Sequence, residues 1–533
     1  MATRWTAWTR LLAAPAAALL LAACGGGGAD APRRLVLALP DEPSRLDPAF
    51  NRDLYEGIVS GFIFDGLVGF GRGTEIEPRL AESWETSSDG RVYTFRLRDA
   101  RFCDGRPVTS DDVRYSYTRL LRPETNSGRR WVVNRIAGAA EVTSGTAAEL
   151  AGLETPDART VRIALDRPYP PFLTLLAMPA ASVIPRDAAG RARPDSAFNR
   201  APVGTGPWRL RHWLRDQRLE FEPNPHFWGV RPAFDRLTYQ VLLDENARQR
   251  LFEVGAVDIC QVGFAVHDHW MRDPARAARM KQVQELRTDY IGFMNHKGAL
   301  RDPRVRRALS HAVDVEAIFR HIQKGRGVVA HGPVPPGIPG HRADAAPRAH
   351  DPALARRLLD ETVGGGAAVG TLRLWYRDEA LNAEVVRKVR DDLAEVGVAV
   401  EPVPRDLAGL RAGIWEGAPD LFMGSWTLDY PDAENALVPT FHSRNIPRQG
   451  NGSRFSDPAV DRLLEEAEAQ ADPQKRVEAF RRAEDAVREA CPWIFLFHRR
   501  TFYAVGERVE GWEPALMYNA DRYTPPVGLV PGR

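Results

Sequence analysis

Lysine is scarce in this chain: five lysines stand against 67 arginines. We read this as the codon bias of a GC-rich genome, not as chemistry. Cysteine is also rare, with Cys24, Cys103, Cys260 and Cys491 the only four. They are far apart and show no CxxC spacing. With Cys24 set aside, the odd number left permits at most one disulfide, and the expectation for each is a buried apolar thiol. An excess of one charge is missing too. A net charge of +2 gives no reason to expect a nucleic-acid partner. No Gly-Lys dipeptide occurs, so there is no P-loop, and HExxH and GxSxG are both absent. The nearest metal-like pattern is His267-Asp268-His269. With no third ligand nearby, its expected place is a solvated loop. No catalytic residue, metal ligand or cofactor is therefore assigned.

What is present begins at the N-terminus. Arg4 and Arg10 precede Leu11 to Ala23, an uncharged run of mostly Leu and Ala. A spanning helix needs ~20 apolar residues, so this run has the length of a signal-peptide core instead. It ends in Leu21-Ala22-Ala23-Cys24, small residues directly before a cysteine. Residues 1–24 are thus expected to be a lipoprotein signal peptide, with Cys24 the lipidated first residue of the mature chain. Residues 25–32, which start with four glycines, read as a flexible linker. No later apolar run reaches membrane length.

Roughly 500 residues then remain, enough for two or three domains. Arg34 to Leu39 reads as a strand, and Glu56 to Phe64 as a helix with Ile58, Val59, Phe62 and Ile63 on one face. Tyr93 to Arg98 and Thr160 to Leu165 alternate like half-buried strands. Thr109 is placed to cap a helix, with Asp111 and Asp112 in its first turn, where capping outweighs catalysis as their role. Pro202-Val-Gly-Thr-Gly-Pro-Trp suits a tight return of the chain and a domain crossover. Further on, a strand at 289–295 is followed by a helix from Arg304 to about Phe319, started by Asp302-Pro303. Strands at 371–376, 398–403 and 420–425 and a helix at 381–396 make this half an α/β unit with a largely parallel sheet. Helices from Pro458 to Ala469 and Pro473 to Ala490 and a strand at 493–497 complete it.

Several blocks occur in one order: Glu77-Pro-Arg-Leu-Ala-Glu-Ser-Trp-Glu, Asp89-Gly, Tyr93-Thr-Phe-Arg-Leu-Arg, and Arg101-Phe-Cys-Asp-Gly-Arg-Pro-Val-Thr-Ser-Asp-Asp-Val. They continue with Gly204-Thr-Gly-Pro, Asn224-Pro-His-Phe-Trp-Gly, Asp302-Pro-Arg-Val-Arg-Arg-Ala-Leu and Asp429-Tyr-Pro-Asp-Ala-Glu-Asn. In this order they resemble the family 5 extracellular solute-binding proteins, the oligopeptide, dipeptide and nickel receptors of bacterial ABC importers. The resemblance runs from Leu35 to about Trp512. Cys103 departs from it, at a position where members often carry His or another polar residue.

The resemblance implies an α/β, two-lobed periplasmic-binding-protein fold (type II, cluster C-like) with an extra subdomain inserted in the first lobe. Lobe I would take residues 33–75, 200–287 and 501–533, the insert 76–199, and lobe II 288–500. It also implies a peptide or similar solute held between the lobes. By position in the motif, Asp429 would receive the α-ammonium of a peptide, with Trp426 and Tyr430 beside it. Asn51 and the neighbouring Arg52 would contribute from the opposite lobe. The implied partners are the permease and ATPase subunits of an importer, with the membrane reached through the lipid on Cys24. No nucleic acid is implied, the chain is expected to be monomeric, and its place is the periplasm or cell surface. A nickel chelate or an oligosaccharide is an alternative ligand. A sensory or chaperone-like lipoprotein is another reading, and an exported hydrolase a third, the last disfavoured by the missing motifs.

Overall fold

The computed structural model describes residues 32–51, 53–186, 197–517 and 520–530. The leader, Cys24 and Arg52 lie outside the described residues. One 11-stranded sheet runs through the molecule. At one end, Arg34–Leu39 pairs in parallel with Arg236–Val241 and Ile259–Val262. Arg218–Pro223 and Trp208–Leu214 continue it antiparallel to the edge. At the other end, Leu372–Arg377 lies parallel to both Val400–Arg405 and Leu421–Thr427.

Two long antiparallel strands, Met280–Phe293 and Trp493–Val505, join these ends. Their outer halves belong to different regions. Met280 to Gln284 pair with Arg500 to Ala504 beside the first end, and Thr288 to Gly292 pair with Trp493 to His498 beside the second. The register shifts between Gln284 and Thr288 and again between Asp289 and Tyr290. Such irregularities bend a strand and mark where pairing yields most easily. The sheet at the second end is mixed, not largely parallel as expected. Met280–Phe293 runs antiparallel to both of its neighbours there. A strand that must enter this half and another that must leave it fix those directions, whatever the local helix–strand alternation suggests.

Helix faces follow the sequence pattern. Helix Leu54–Ile63 buries Val59, Phe62 and Ile63 among Leu35, Leu37, Phe221 and Leu237. Helix Ala380–Glu395 buries Val385, Val389 and Leu393 in the core of the other end, with Leu309, Leu374 and Leu421. Asp112 fills the capping role: its carboxylate accepts from the Thr109 N–H and hydroxyl, each at 2.8 Å. The helix expected from Arg304 to Phe319 stops at Ala312. Asp314 then caps a new turn by accepting from the Ala317 N–H at 2.9 Å. Apolar periodicity continued across this break, but the Asp314 side chain competes for the backbone donors and ends the first helix.

A second sheet of four antiparallel strands runs in the order Ala81–Thr86, Val92–Leu97, Thr160–Ala164, Leu153–Asp157. The chain leaves it through Pro202 to Pro207. There the Gly204 and Gly206 α-carbons press on the carbonyls of Ile63 and Phe62, where a Cβ would approach within 2.0 and 2.4 Å. Only glycine fits this close passage. The core of the four-stranded sheet contains Phe95, Tyr117, Val161 and Phe172. It is continuous with Tyr430, Leu437, Phe441 and Phe480 from the far end of the long sheet. The two halves are therefore in contact.

Cys260 and Cys491 are buried free thiols, as expected, whereas Cys103 is only partly buried and also free. His267-Asp268-His269 lies on helix Phe264–Arg272, not in a solvated loop. His267 is buried with its ring 4.5 Å from that of Phe502. Among the described residues no helix is long and apolar enough to cross a membrane, and no three His, Cys, Asp or Glu side chains group as a metal site.

Candidate ligand-binding site

Between the four-stranded sheet and the second end of the long sheet lies a cavity of about 780 Å³. Asp429, Trp426 and Tyr430 all line it. Trp426 lies near the end of the strand Leu421–Thr427 and Asp429 and Tyr430 follow it, at a strand end where α/β sheets present ligand groups. Asn435, on the helix Ala433–Phe441, holds them in place. Its side-chain oxygen accepts from the Asp429 N–H at 2.8 Å, and its carbonyl accepts from the Trp426 indole N–H at 2.7 Å. Asp432 caps that helix by accepting from the Glu434 N–H at 2.8 Å. The motif Asp429 to Asn435 is thus a self-braced turn that aims one carboxylate into the cavity.

The opposite wall supplies residues that the sequence reading did not single out. Arg129 donates from Nη1 to Asp429 Oδ1 at 2.9 Å and from Nε to the Asn51 carbonyl at 2.7 Å. Trp131 packs its ring 6.0 Å from that of Tyr430. Tyr169 donates its hydroxyl to Glu434 Oε1 at 2.8 Å and lies 3.4 Å from the Tyr430 hydroxyl. Burial, then the nearby Glu434 charge, holds the Tyr169 pKa well above its ordinary value, so it remains a donor. Burial also raises the Glu434 pKa, while Arg476 opposes the rise with a 2.6 Å bond to Oε2. Arg129-Arg-Trp and Pro168-Tyr-Pro-Pro carry a charge-and-aromatic signal, but their partners lie some 265 to 300 residues away.

Asn51 reaches this region through its backbone, and it is absent from the cavity wall. Asp47 places it: its carboxylate accepts from the Ala49 N–H at 3.1 Å and pairs with buried Arg119. The Asn51 side chain is buried, and among the described residues neither of its polar atoms has a partner.

The long strands carry a charged cluster. Asp289 binds Arg287 at 2.8 Å and Arg499 at 2.6 Å, one from each long strand. Burial works against the Asp289 charge, but the two guanidiniums overcome it and hold its pKa below the ordinary value.

A two-lobed α/β shell around a polar and aromatic cavity, joined by two strands, is the architecture of an extracytoplasmic solute receptor. The chain belongs to the bacterial extracellular solute-binding proteins, family 5, whose model (the family's "Middle" region) matches residues 75–448. It is 29% identical over 490 residues to the probable D,D-dipeptide-binding periplasmic protein DdpA of Escherichia coli, covering 90% of this chain and 91% of that one. It is 28% identical to heme-binding protein A of Haemophilus influenzae, covering 84% of each. Among solved structures, the murein tripeptide binding protein MppA of Escherichia coli superposes with a TM-score of 0.76 at 25% identity, over 94% of this chain and 99% of that one.

Proposed function

We propose that this chain is the extracytoplasmic binding component of an ABC importer that takes short peptides into the cavity and delivers them to the permease. The reading rests on one observation: a cavity of about 780 Å³ between the lobes into which the braced carboxylate of Asp429 projects. That volume suits a small ligand enclosed on most sides. The α-ammonium of a peptide binds beside Asp429 Oδ2, since Oδ1 faces Arg129. Trp426 and Tyr430 wall that end. Asn51 contributes through its carbonyl, which accepts from Arg129, and Arg52 is assigned to the site only from its place beside Asn51 in the sequence.

In this reading lobe I comprises residues 33–75, 200–287 and 501–533, the insert 76–199, and lobe II 288–500. The proposed limit between residues 287 and 288 lies in the strand Met280–Phe293, beside the register shift between Gln284 and Thr288. The protein works in the periplasm or at the cell surface as a monomer, held to the membrane by lipid on Cys24. Tethering raises its effective concentration at the permease. It binds and releases its cargo without catalysing a reaction. The test is mass spectrometry of the ligand released on denaturing purified protein, with calorimetry on the compound found. A peptide cargo is expected. A porphyrin, a metal chelate or a sugar would overturn the reading.

A further inference from the structure

The charges around the cavity do not balance, and the imbalance describes the cargo. Every carboxylate in the wall already touches an arginine, although Arg476 is shared between Glu434 and Asp432. Asp429 is held by Arg129 at 2.9 Å, Glu434 by Arg476 at 2.6 Å, and Glu468 by Arg444 at 2.7 Å to each oxygen. Arg135, Arg167 and Arg448 also line the cavity. Among the described residues none of these three has a carboxylate within ion-pair distance. Two of them rest on aromatic rings instead. The Arg135 guanidinium lies 5.0 Å from the Tyr169 ring centre and that of Arg448 lies 5.6 Å from the Trp415 ring centre.

A guanidinium without a counter-charge depends on water for its hydrogen bonds. A ligand that fills the cavity displaces that water, and a cation deprived of both water and counter-charge is costly. A concave wall of one sign also focuses its field on the space it encloses. A neutral zwitterionic peptide brings one carboxylate, which answers one arginine. The other two call for more negative charge from the ligand. A guanidinium fork is also shaped to take a carboxylate bidentately.

We infer that the cargo is an acidic peptide, bearing carboxylates beyond its C-terminus, and that Arg135 and Arg167 receive them. This rests on the peptide reading above and assigns its charge class. Arg448, at the far rim, adds attraction on approach.

The test is calorimetry of the full-length protein, freed of cargo, with three tripeptides of one length: Ala-Glu-Glu, Ala-Ala-Ala and Ala-Lys-Lys. Binding of the acidic peptide at least tenfold tighter than the neutral one is expected, with the basic one weakest. In the double variant R135Q/R167Q the advantage of the acidic peptide over Ala-Ala-Ala should collapse towards unity. Arg167 is exposed, so R167Q alone supplies the same comparison if the double variant folds poorly. Equal or tighter binding of the neutral or basic peptide overturns the charge assignment and leaves the peptide reading standing. If none of the three binds, the peptide reading falls instead. The net charge of cargo released from the purified protein then decides the inference: an anion supports it and a neutral or cationic compound overturns it.

Discussion

Arg129 and Asp429 are 300 residues apart in the chain and 2.9 Å apart across the cavity. The same guanidinium holds the Asn51 carbonyl, so one side chain ties three separate segments. Asp429 is therefore half of a contact that ties distant segments, beside the ligand role proposed for it. Asp429→Asn should weaken peptides with a free N-terminus by about 2 kcal/mol, the low end for truncating a charge pair, because the side chain keeps 35% of its exposure. N-acetylated peptides should bind the wild type poorly and the variant no worse. Calorimetry on matched free and acetylated peptides measures both. Unchanged affinity for the free peptide would remove Asp429 from the site.

Asp289 should matter to stability more than to affinity. Breaking a buried ion pair costs about 3–5 kcal/mol, and the low end applies because Arg287 and Arg499 keep part of their exposure. Asp289→Asn should lower the urea midpoint accordingly. The folded pKa is depressed. Its contribution is thus fully present above the unfolded carboxylate value and is lost as pH falls through the folded one. The variant's deficit should shrink below pH ~4. A deficit that stays constant down to pH 2 would contradict this.

His498 gives a second pH dependence with the opposite protonation. It is fully buried, and its pKa is pushed down to about 3 by burial first and by His341 second. Thr288 donates its hydroxyl to the Pro333 carbonyl at 2.8 Å, so it accepts the His498 Nδ1–H at 3.0 Å. This leaves Nε2 as a buried acceptor with no partner, where a proton would be stranded. The unfolded chain therefore binds the proton first as pH falls. Stability from neutral His498 is complete above pH ~6.5 and declines by up to about 1.4 kcal/mol for each unit below. His498→Gln should flatten the fall in urea midpoint between pH 7 and pH 5. An equal fall in both proteins would refute the assignment.

Tyr169→Phe removes a donor from the buried Glu434 carboxylate and leaves the ring. The expected loss is about 1–3 kcal/mol, the cost of an unmet buried acceptor. Thermal denaturation should register it, and Glu434→Gln made in the same background should recover part of it. No recovery would mean that the hydroxyl serves another partner.

Local signals carried much of this fold. The caps at Asp112 and Asp302 and the helix Ala380–Glu395 depend on neighbouring residues only, and they were legible in the sequence. What failed depended on the whole chain. The sheet near Tyr290 is mixed because two strands cross between lobes in opposite directions, which no window of residues reveals. His267 and His269 read as loop residues because Gly263 hid the start of their helix. At the site, Asp429, Trp426 and Tyr430 were placed by their shared motif, and all three line one cavity. Arg129, Trp131 and Tyr169 were missed because their roles exist only once the four-stranded sheet meets the far lobe.

The long strands have a further consequence. Hydrogen bonds run without interruption from Val400–Arg405 at one edge to Trp208–Leu214 at the other. Each lobe therefore owns only half of each long strand, and neither has a closed set of backbone partners without the other. A cut between Gln284 and Thr288 would strip a strand from both. The two lobes should melt in a single transition and should not be recoverable as separately expressed halves, so two architectural bodies fold as one.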